Sequence, residues 1–554
     1  MRTKTTHKNA GGVFPRWLTD AVFYEIYPQS FFDSNGDGTG DFEGIIQKLD
    51  YIKSVGCNAL WINPCFDSPF RDAGYDVRDY KKTAPRYGTG DDLKRLFSEA
   101  HRRGIRVLLD LVPGHTSEEH EWFKESAKAG GGKYRNRYIW TEHWLQSSKG
   151  FAFIAGEAER AATYVINFFK CQPALNYGFL RPTENWQLPM NHPDCIATRE
   201  AMKDVMRFWL DAGCDGFRVD MASSLVKNDD RNKTGVSLIW REVRSMLNTE
   251  YPEAAIVAEW SYPRQAINAG FHMDFLLEFF YPPGGISGWY MRTFRGIAGG
   301  YRSLFRNYKL DEENRIQGKD ESYFKKDSKQ DALRFIDEYR FHYRSVKGKG
   351  YISLVTGNHD LARMSYNMDQ RELSLAYAFI FTLPGIPFLY YGDETGMRYL
   401  PLPSKEGGYY RTGSRTPMQW NSGANLGFSD APAEKLYLPV DAAADAPTVE
   451  AQEQSPSSLL NTVRALLRLR HAETDLQAEP NLQFLYAKKG RRPLAYRRGA
   501  FVIALNPSAV TETIAALPGK CNGETVFSIG NGSLARGKCV LEAQSFVIWR
   551  TGPQ

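Results

Sequence analysis

The chain has 554 residues, 42% of them hydrophobic and 24% charged, with a formal net charge of +6. That length accommodates a large core, either as several domains or as one barrel with appendages. So small a net charge, with no long Lys/Arg cluster, excludes nucleic acid as an expected partner.

At the amino terminus MRTKTTHKNAGG carries basic residues with no apolar segment behind them, so neither a secretory signal nor a membrane anchor is expected. The seven cysteines are sparse and lack C-x-x-C spacing, as in a reducing compartment, which makes the cytoplasm the expected location. A first apolar run, VFYEIYP (22–28), reads as a buried strand. Behind it DSNGDGTGD (33–41) sets Asp33, Asn35, Asp37 and Asp41 at alternating positions, with Gly38 at the sharp turn and Thr39 able to lend a backbone carbonyl. Hard cations take oxygen ligands in such loops, so a structural Ca²⁺ is expected here, although Gly44 stands where an EF-hand has its Glu.

Further apolar runs follow at ALWINP (59–64), VLLDLV (107–112), GFRVD (216–220), IVAEW (256–260), MDFLLEFF (273–280), YISLVTG (351–357) and PFLYY (387–391). Amphipathic stretches separate them; in DDLKRLFSEAHRRG (91–104), Leu93, Leu96, Phe97 and Ala100 share one helical face and Gly104 marks the end. Eight strands alternating with helices predict an α/β fold, a TIM (β/α)8 barrel, whose chemistry sits at the carboxyl ends of its strands. LAYAFIFTLPGIPFLYYG (375–392) is uncharged and long enough to suggest a membrane span, but Pro384, Gly385 and Pro387 divide it into a buried helix, a turn and a short strand. No membrane partner is expected.

Two interruptions break the rhythm. Residues 116–205, rich in aromatics, Gly and polar residues, are expected to form an inserted domain of functional use after the third strand. Residues 281–348 are charged and partly helical. Late in the chain a Pro/Ala/Ser-rich stretch leads to the amphipathic helix SLLNTVRALLRLRH (458–471), and alternating segments such as AFVIALNPS predict a carboxyl-terminal all-β sandwich. The expected division is a barrel over 1–115 and 206–473, an inserted domain over 116–205 and a β domain over 474–554.

Polar residues gather at the predicted strand ends: Asp110 and His115 after the third, Arg218 and Asp220 on the fourth, Glu259 on the fifth, His359 and Asp360 after the seventh. Singly, each carboxylate would serve as a helix cap. A barrel brings all of them to one mouth. Arg218 and Asp220 share a strand face, and two charges inside an apolar run need a reason. Chemistry at that mouth supplies one, since surroundings can hold one carboxyl group ionised and another protonated there. Arg218 is then expected to lower the pKa of Asp220 and keep it anionic, while Glu259, beside Trp260, is expected to keep its proton. The 12 Trp and 30 Tyr offer flat faces for sugar rings.

This pattern resembles glycoside hydrolase family 13, the α-amylase family, along nearly the whole chain. DLVPGH (110–115), QPALN (172–176), GFRVD (216–220), AEW (258–260) and GNHD (357–360) stand in the family's order. The resemblance implies Asp220 as nucleophile, Glu259 as general acid/base and Asp360 as the third carboxylate, binding sugar hydroxyls. It implies that Arg218 holds Asp220 and that His115 and His359 bind hydroxyls of the −1 sugar. DAGY (72–75) is similar to a family segment whose Asp binds the non-reducing end and whose Tyr stacks beneath the sugar, roles that fall on Asp72 and Tyr75. The family's partner for that Asp is an arginine, here Arg411 or Arg415 of RTGSRTPMQW.

The chain also departs from the family. Gly114 stands where the family's calcium between barrel and inserted domain takes an Asn, so that second calcium is expected to be absent. Ala174 replaces the Asp usual in oligo-1,6-glucosidases and their relatives, and Met221 matches neither the Val associated with α-1,6 action nor the Ala or Thr associated with α-1,4 action. The resemblance implies a retaining α-glucosidase acting on a small oligosaccharide substrate from its non-reducing end, with linkage preference open. A glucosyltransferase or isomerase, trehalose synthase-like or sucrose-active, is the alternative. A non-catalytic amylase-like binding or transporter-partner protein is disfavoured by the complete carboxylate set.

Overall fold

Eight short parallel strands set the frame: β1 (Phe23–Ile26), β2 (Ala59–Ile62), β3 (Arg106–Leu111), β4 (Gly216–Val219), β5 (Ala255–Ala258), β6 (Met273–Phe275), β7 (Tyr351–Ser353) and β8 (Phe388–Tyr390). The computed structural model describes residues 14–277, 309–310, 316–479, 481–518 and 522–551. The strands pair in the order β7-β6-β5-β4-β3-β2-β1-β8. Phe388 N donates to Leu354 O at 2.9 Å and Thr356 N to Phe388 O at 3.0 Å, which joins β8 to the end of β7 and closes the barrel. The run MDFLLEFF yields a strand only over Met273–Phe275, and its last three residues lie outside the described residues.

Alternation along each strand sorts the side chains. Phe23, Ala59, Trp61, Leu108, Val257, Met273, Phe275 and Phe388 fill the barrel interior, with Phe23 stacked on Phe388 at 4.3 Å. The opposite parity, Tyr24, Leu60, Leu109, Phe217 and Ile256 among others, packs outward into the larger core under the helices. Gly90–Arg102 buries the expected Leu93, Leu96, Phe97 and Ala100, and a reciprocal cap between Thr89 and Asp92 fixes its start. The uncharged stretch resolves as a buried helix, Gln370–Thr382, a turn, and β8. Among the described residues no helix is long and apolar enough to cross a membrane, and the six described cysteines are all buried.

Between β3 and β4 the chain leaves the barrel for a short helix, Glu121–Ser126, and the hairpin Phe153–Ala155 with Thr163–Val165. Ile139, Val165, Ala174, Phe179 and Trp186 form a separate small core there. The chain rejoins the barrel earlier than the sequence pattern placed it. The helix Pro193–Ala212 runs across residue 205, because Pro193 at its first turn and the His192 side chain, accepting from Asp194 N, start it there. After the helix Leu459–Ala472, a five-stranded and a three-stranded antiparallel sheet share a core that includes Val502, Ala504, Leu534, Leu541, Val547 and Trp549.

Candidate active site

The inward positions change character at the carboxyl end of the barrel. Two residues beyond Phe23, Trp61 and Leu108 come Glu25, Asn63 and Asp110, each buried, and Arg218 follows on β4. One residue past β4 and β5 the ladder continues, since Asp220 N donates to Leu111 O at 2.9 Å and Glu259 N to Val219 O at 3.0 Å. The chain then turns through left-handed residues, Met221 (φ 44°) and Ser261 (φ 56°). Such backbone is strained for side-chain-bearing residues and persists where the surroundings over-determine it. Asp274 of β6 supplies part of that restraint, accepting from Trp260 N at 3.1 Å and Tyr262 N at 2.8 Å in the turn after Glu259.

Arg218 is the hub. Its Nη1 lies 2.8 Å from Asp110 Oδ1 and 3.1 Å from Asp220 Oδ1, and its Nη2 lies 2.9 Å from Glu259 Oε2. The guanidinium sits over the Trp61 ring at 5.0 Å, while Trp61 Nε1 and the Tyr75 hydroxyl both donate to Asp110 Oδ2. Met221 N also donates to Glu259 Oε2, at 3.0 Å. Asp220 and Glu259 are therefore held within the span of one guanidinium.

Asp360 is placed by two arginines: Arg411 Nη1 and Arg415 Nη2 each lie 3.0 Å from its Oδ1. Only Arg411 goes on to Asp72, at 3.4 Å, and Gln172 Nε2 donates to the other Asp72 oxygen at 2.7 Å. Arg415 instead donates to His359 O at 2.8 Å. The choice the sequence left open thus falls on Arg411. His359 stacks on Tyr75 at 5.5 Å with its Nδ1 2.7 Å from Glu25 Oε1 and its Nε2 2.5 Å from the Tyr75 hydroxyl. His115, also buried, has its Nε2 3.1 Å from Tyr75 O. Asp110 and Arg218 are sealed at 0% and 2% side-chain exposure, whereas Asp220, Glu259 and Asp360 keep 10%, 17% and 22%. Those three carboxylates are the acidic groups the hub leaves open to the mouth.

The charge balance differs from the sequence expectation for Asp220. Burial, and then the charge of Glu259, raise its pKa well above the usual carboxylate range, against the lowering by Arg218. The reason is the sharing of one cation among three carboxylates. Asp110 is pushed up to about 6 by burial against the same arginine. Burial also works on Asp360, but the cations beside it win and hold its carboxyl well below the usual range; with His359 kept neutral by its own burial, Arg411 and Arg415 carry that effect.

The loop 33–41 is closed by its own side chains. Asp33 accepts from Gly36 N at 2.8 Å, Gly38 N at 2.7 Å and Ser429 Oγ at 2.5 Å; Asn35 accepts from Asp37 N and Asp37 from Thr39 N. Asp41 accepts from Ser34 and caps the helix Phe42–Gln47 through Gly44 N. Gly38 is obligatory, because a Cβ there would lie 2.2 Å from Lys435 O at φ +94°. Side-chain oxygens from all four acidic and amide positions are present, the donor type a hard cation takes. Among the described residues no three His, Cys, Asp or Glu side chains converge as a metal cluster.

Several contributors escaped the sequence reading. Glu25 and Asn63 contact His359 and Gln172 contacts Asp72, while Asp274 accepts from Trp260 N in the turn after Glu259. Glu25 and Asp274 each left a signal, a charge inside the apolar runs VFYEIYP and MDFLLEFF, and Gln172 heads the QPALN segment.

Known proteins share this arrangement of chain. The family model for the α-amylase catalytic domain matches residues 25–279 and 301–479. A trehalose synthase/amylase of Mycolicibacterium smegmatis is 33% identical over 483 residues, covering 82% of this chain and 76% of that protein. An oligo-1,6-glucosidase of Heyndrickxia coagulans is 30% identical over 533 residues, covering 82% of this chain and 85% of that one. An isomaltulose synthase of Erwinia rhapontici NX5, solved with its natural substrate sucrose, is 25% identical and superposes with a TM-score of 0.76 over 97% of this chain and 100% of that chain. A closed parallel barrel, acidic side chains at its strand ends and a family match over most of its length lead to one assignment: the chain belongs to the α-amylase family, glycoside hydrolase family 13.

Proposed function

We propose that the protein is a retaining α-glucosidase that removes one glucose from the non-reducing end of short α-glucosides. The observation that carries this reading is the bridge from Asp72 through Arg411 to Asp360. It supports a pocket that ends behind a single sugar, with Tyr75 beneath the ring and His115 and His359 at its hydroxyls. Asp220 attacks the anomeric carbon while Glu259 gives its proton to the departing oxygen, so the glycosidic bond breaks as the glucosyl ester forms. Glu259 then takes a proton from water, whose oxygen displaces Asp220 and restores the α configuration. Asp360 stabilises the charge that develops on the sugar ring.

A second reading is supported by the 33% likeness to trehalose synthases: the first leaving sugar stays bound and attacks the glucosyl ester through a different hydroxyl. Chromatography of the products from maltose, isomaltose, sucrose and trehalose separates the two. Free glucose from one or more of these sugars is the expected result. Conversion of one disaccharide into another without free glucose would establish the second reading, and no reaction with any of the four would overturn both.

We also propose a structural Ca²⁺ in the loop 33–41, held by side-chain oxygens of Asp33, Asn35, Asp37 and Asp41 and the backbone carbonyl of Thr39. When bound it would offset the mutual repulsion of the acidic side chains. A chelator is expected to lower the melting temperature of the wild type, and Asp33→Ala to lower it further and remove the chelator's effect. Losing the Asp33 hydrogen bonds alone costs about 1–3 kcal/mol, so the calcium dependence is the reading that decides. Wild-type melting curves that superimpose with and without chelator would remove the metal.

A further inference from the structure

Behind His115 runs a line of hydrogen bonds that ends on a buried cation. Asn167, just beyond the inserted hairpin, donates its Nδ2 to His115 Nδ1 at 3.1 Å and to Gly114 O at 2.9 Å. Its Oδ1 faces Lys227 Nζ at 3.3 Å. Lys227 lies seven residues after Asp220 in the loop following β4, and its ammonium also donates to Ser224 O at 3.1 Å. Its backbone is tied to the inserted segment, with Lys227 N donating to Gly178 O at 3.1 Å and Leu180 N to Lys227 O at 3.0 Å.

Each member of this line has a fixed polarity. An ammonium only donates, so it must face an acceptor. The amide of Asn167 therefore turns its oxygen to Lys227 and its NH2 to the imidazole. His115 Nδ1 must then accept, and in a neutral imidazole the proton resides on the other nitrogen. Burial pulls His115 down to about 3, so the ring is neutral at any working pH. The Lys227 ammonium, pulled down to about 8 by its burial, is still charged at neutral pH. The ring's far side agrees with this polarity, since Nε2 lies 3.1 Å from the Tyr75 carbonyl, an acceptor.

We infer that Lys227 is a positioning residue which, through the Asn167 amide, sets the tautomer of His115 and makes Nε2 a hydrogen-bond donor toward Tyr75 and the sugar pocket. Its kinetic consequence, though not the tautomer itself, rests on the reading of His115 as a contact of the bound sugar. The cation thereby couples three pieces of chain that meet only in the folded protein: the loop after the proposed nucleophile, the inserted segment and the end of β3.

The test combines nitrogen NMR of ¹⁵N-histidine-labelled protein, the His115 signals being assigned by their loss in His115→Gln, with steady-state kinetics. Wild type is expected to show His115 protonated at Nε2 alone. Asn167→Asp keeps the side chain's size but accepts at both ends, so the proton should move to Nδ1. Lys227→Met should give a mixture of tautomers, and Lys227→Arg, donor-only like lysine, should restore the wild-type pattern. In the two disruptive variants kcat/KM should fall about tenfold or more, the value of one hydrogen bond to the substrate, with Lys227→Arg recovering most of it. A His115 that stays protonated at Nε2 in both Asn167→Asp and Lys227→Met overturns the inference. A tautomer that shifts while kcat/KM is unchanged upholds the relay and instead removes His115 from the sugar-binding residues.

Discussion

Asp220→Asn is expected to lower turnover by roughly 10⁴-fold or more while leaving the barrel folded. Asparagine has the size of aspartate and its amide oxygen still accepts from Arg218, which keeps Asp110 and Glu259 as partners. What disappears is the anionic oxygen that forms the ester. The stability effect should have the opposite sign. The pKa of Asp220 is raised in the folded protein, so its contribution to stability is fully present below the unfolded-state value of about 3.9 and is lost as pH rises through the folded value. At neutral pH an ionised Asp220 therefore costs stability, chiefly through burial and the charge of Glu259. The variant should melt at a higher temperature than wild type, with the gap widening as pH rises from the unfolded-state value toward the folded one. Purified variant retaining turnover within tenfold of wild type would refute the nucleophile.

Glu259→Gln is expected to fail differently. On disaccharides both steps need its proton, so kcat/KM should fall by about 10²–10⁴-fold. On α-glucosyl fluoride the leaving group needs no proton, and glycosylation should survive while the second step stalls. Added azide discriminates between the two residues by stereochemistry. In Glu259→Gln it should intercept the ester on the face from which water attacks and give the α-glucosyl azide. In Asp220→Gly, which clears the nucleophile's space, it should attack from that face and give the β-glucosyl azide. Identical azide anomers from the two variants would contradict the division of roles.

Much of this site was legible because a barrel strand is a simple code. Inward positions recur every second residue, so a polar side chain at the end of an apolar run points into the mouth, which places Asp110 and Arg218 without coordinates. Glu25 obeys the same code, yet in VFYEIYP a lone charge has no visible partner; its contact, His359, lies 334 residues away and arrives only when the barrel closes. The choice between Arg411 and Arg415 depends on the short turn Tyr409–Ser414, which aims one arginine at Asp72 and the other at the His359 carbonyl. Nothing in the spacing of two arginines encodes that. The expectation for Asp220 went astray because it paired neighbours along one strand. Asp110 and Glu259, brought in by β3 and β5, compete for the same guanidinium. Fold follows from local periodicity; charge balance depends on the full set of neighbours.

The most direct test of the central claim is to trap the ester. Glu259→Gln would be mixed with α-glucosyl fluoride, quenched in acid, digested and analysed by mass spectrometry. One added glucosyl unit on the peptide containing Asp220, absent from the Asp220→Asn, Glu259→Gln double variant, is the result this account requires. A glucosyl unit on a different side chain, or fluoride released steadily with no adduct on any peptide, would contradict it.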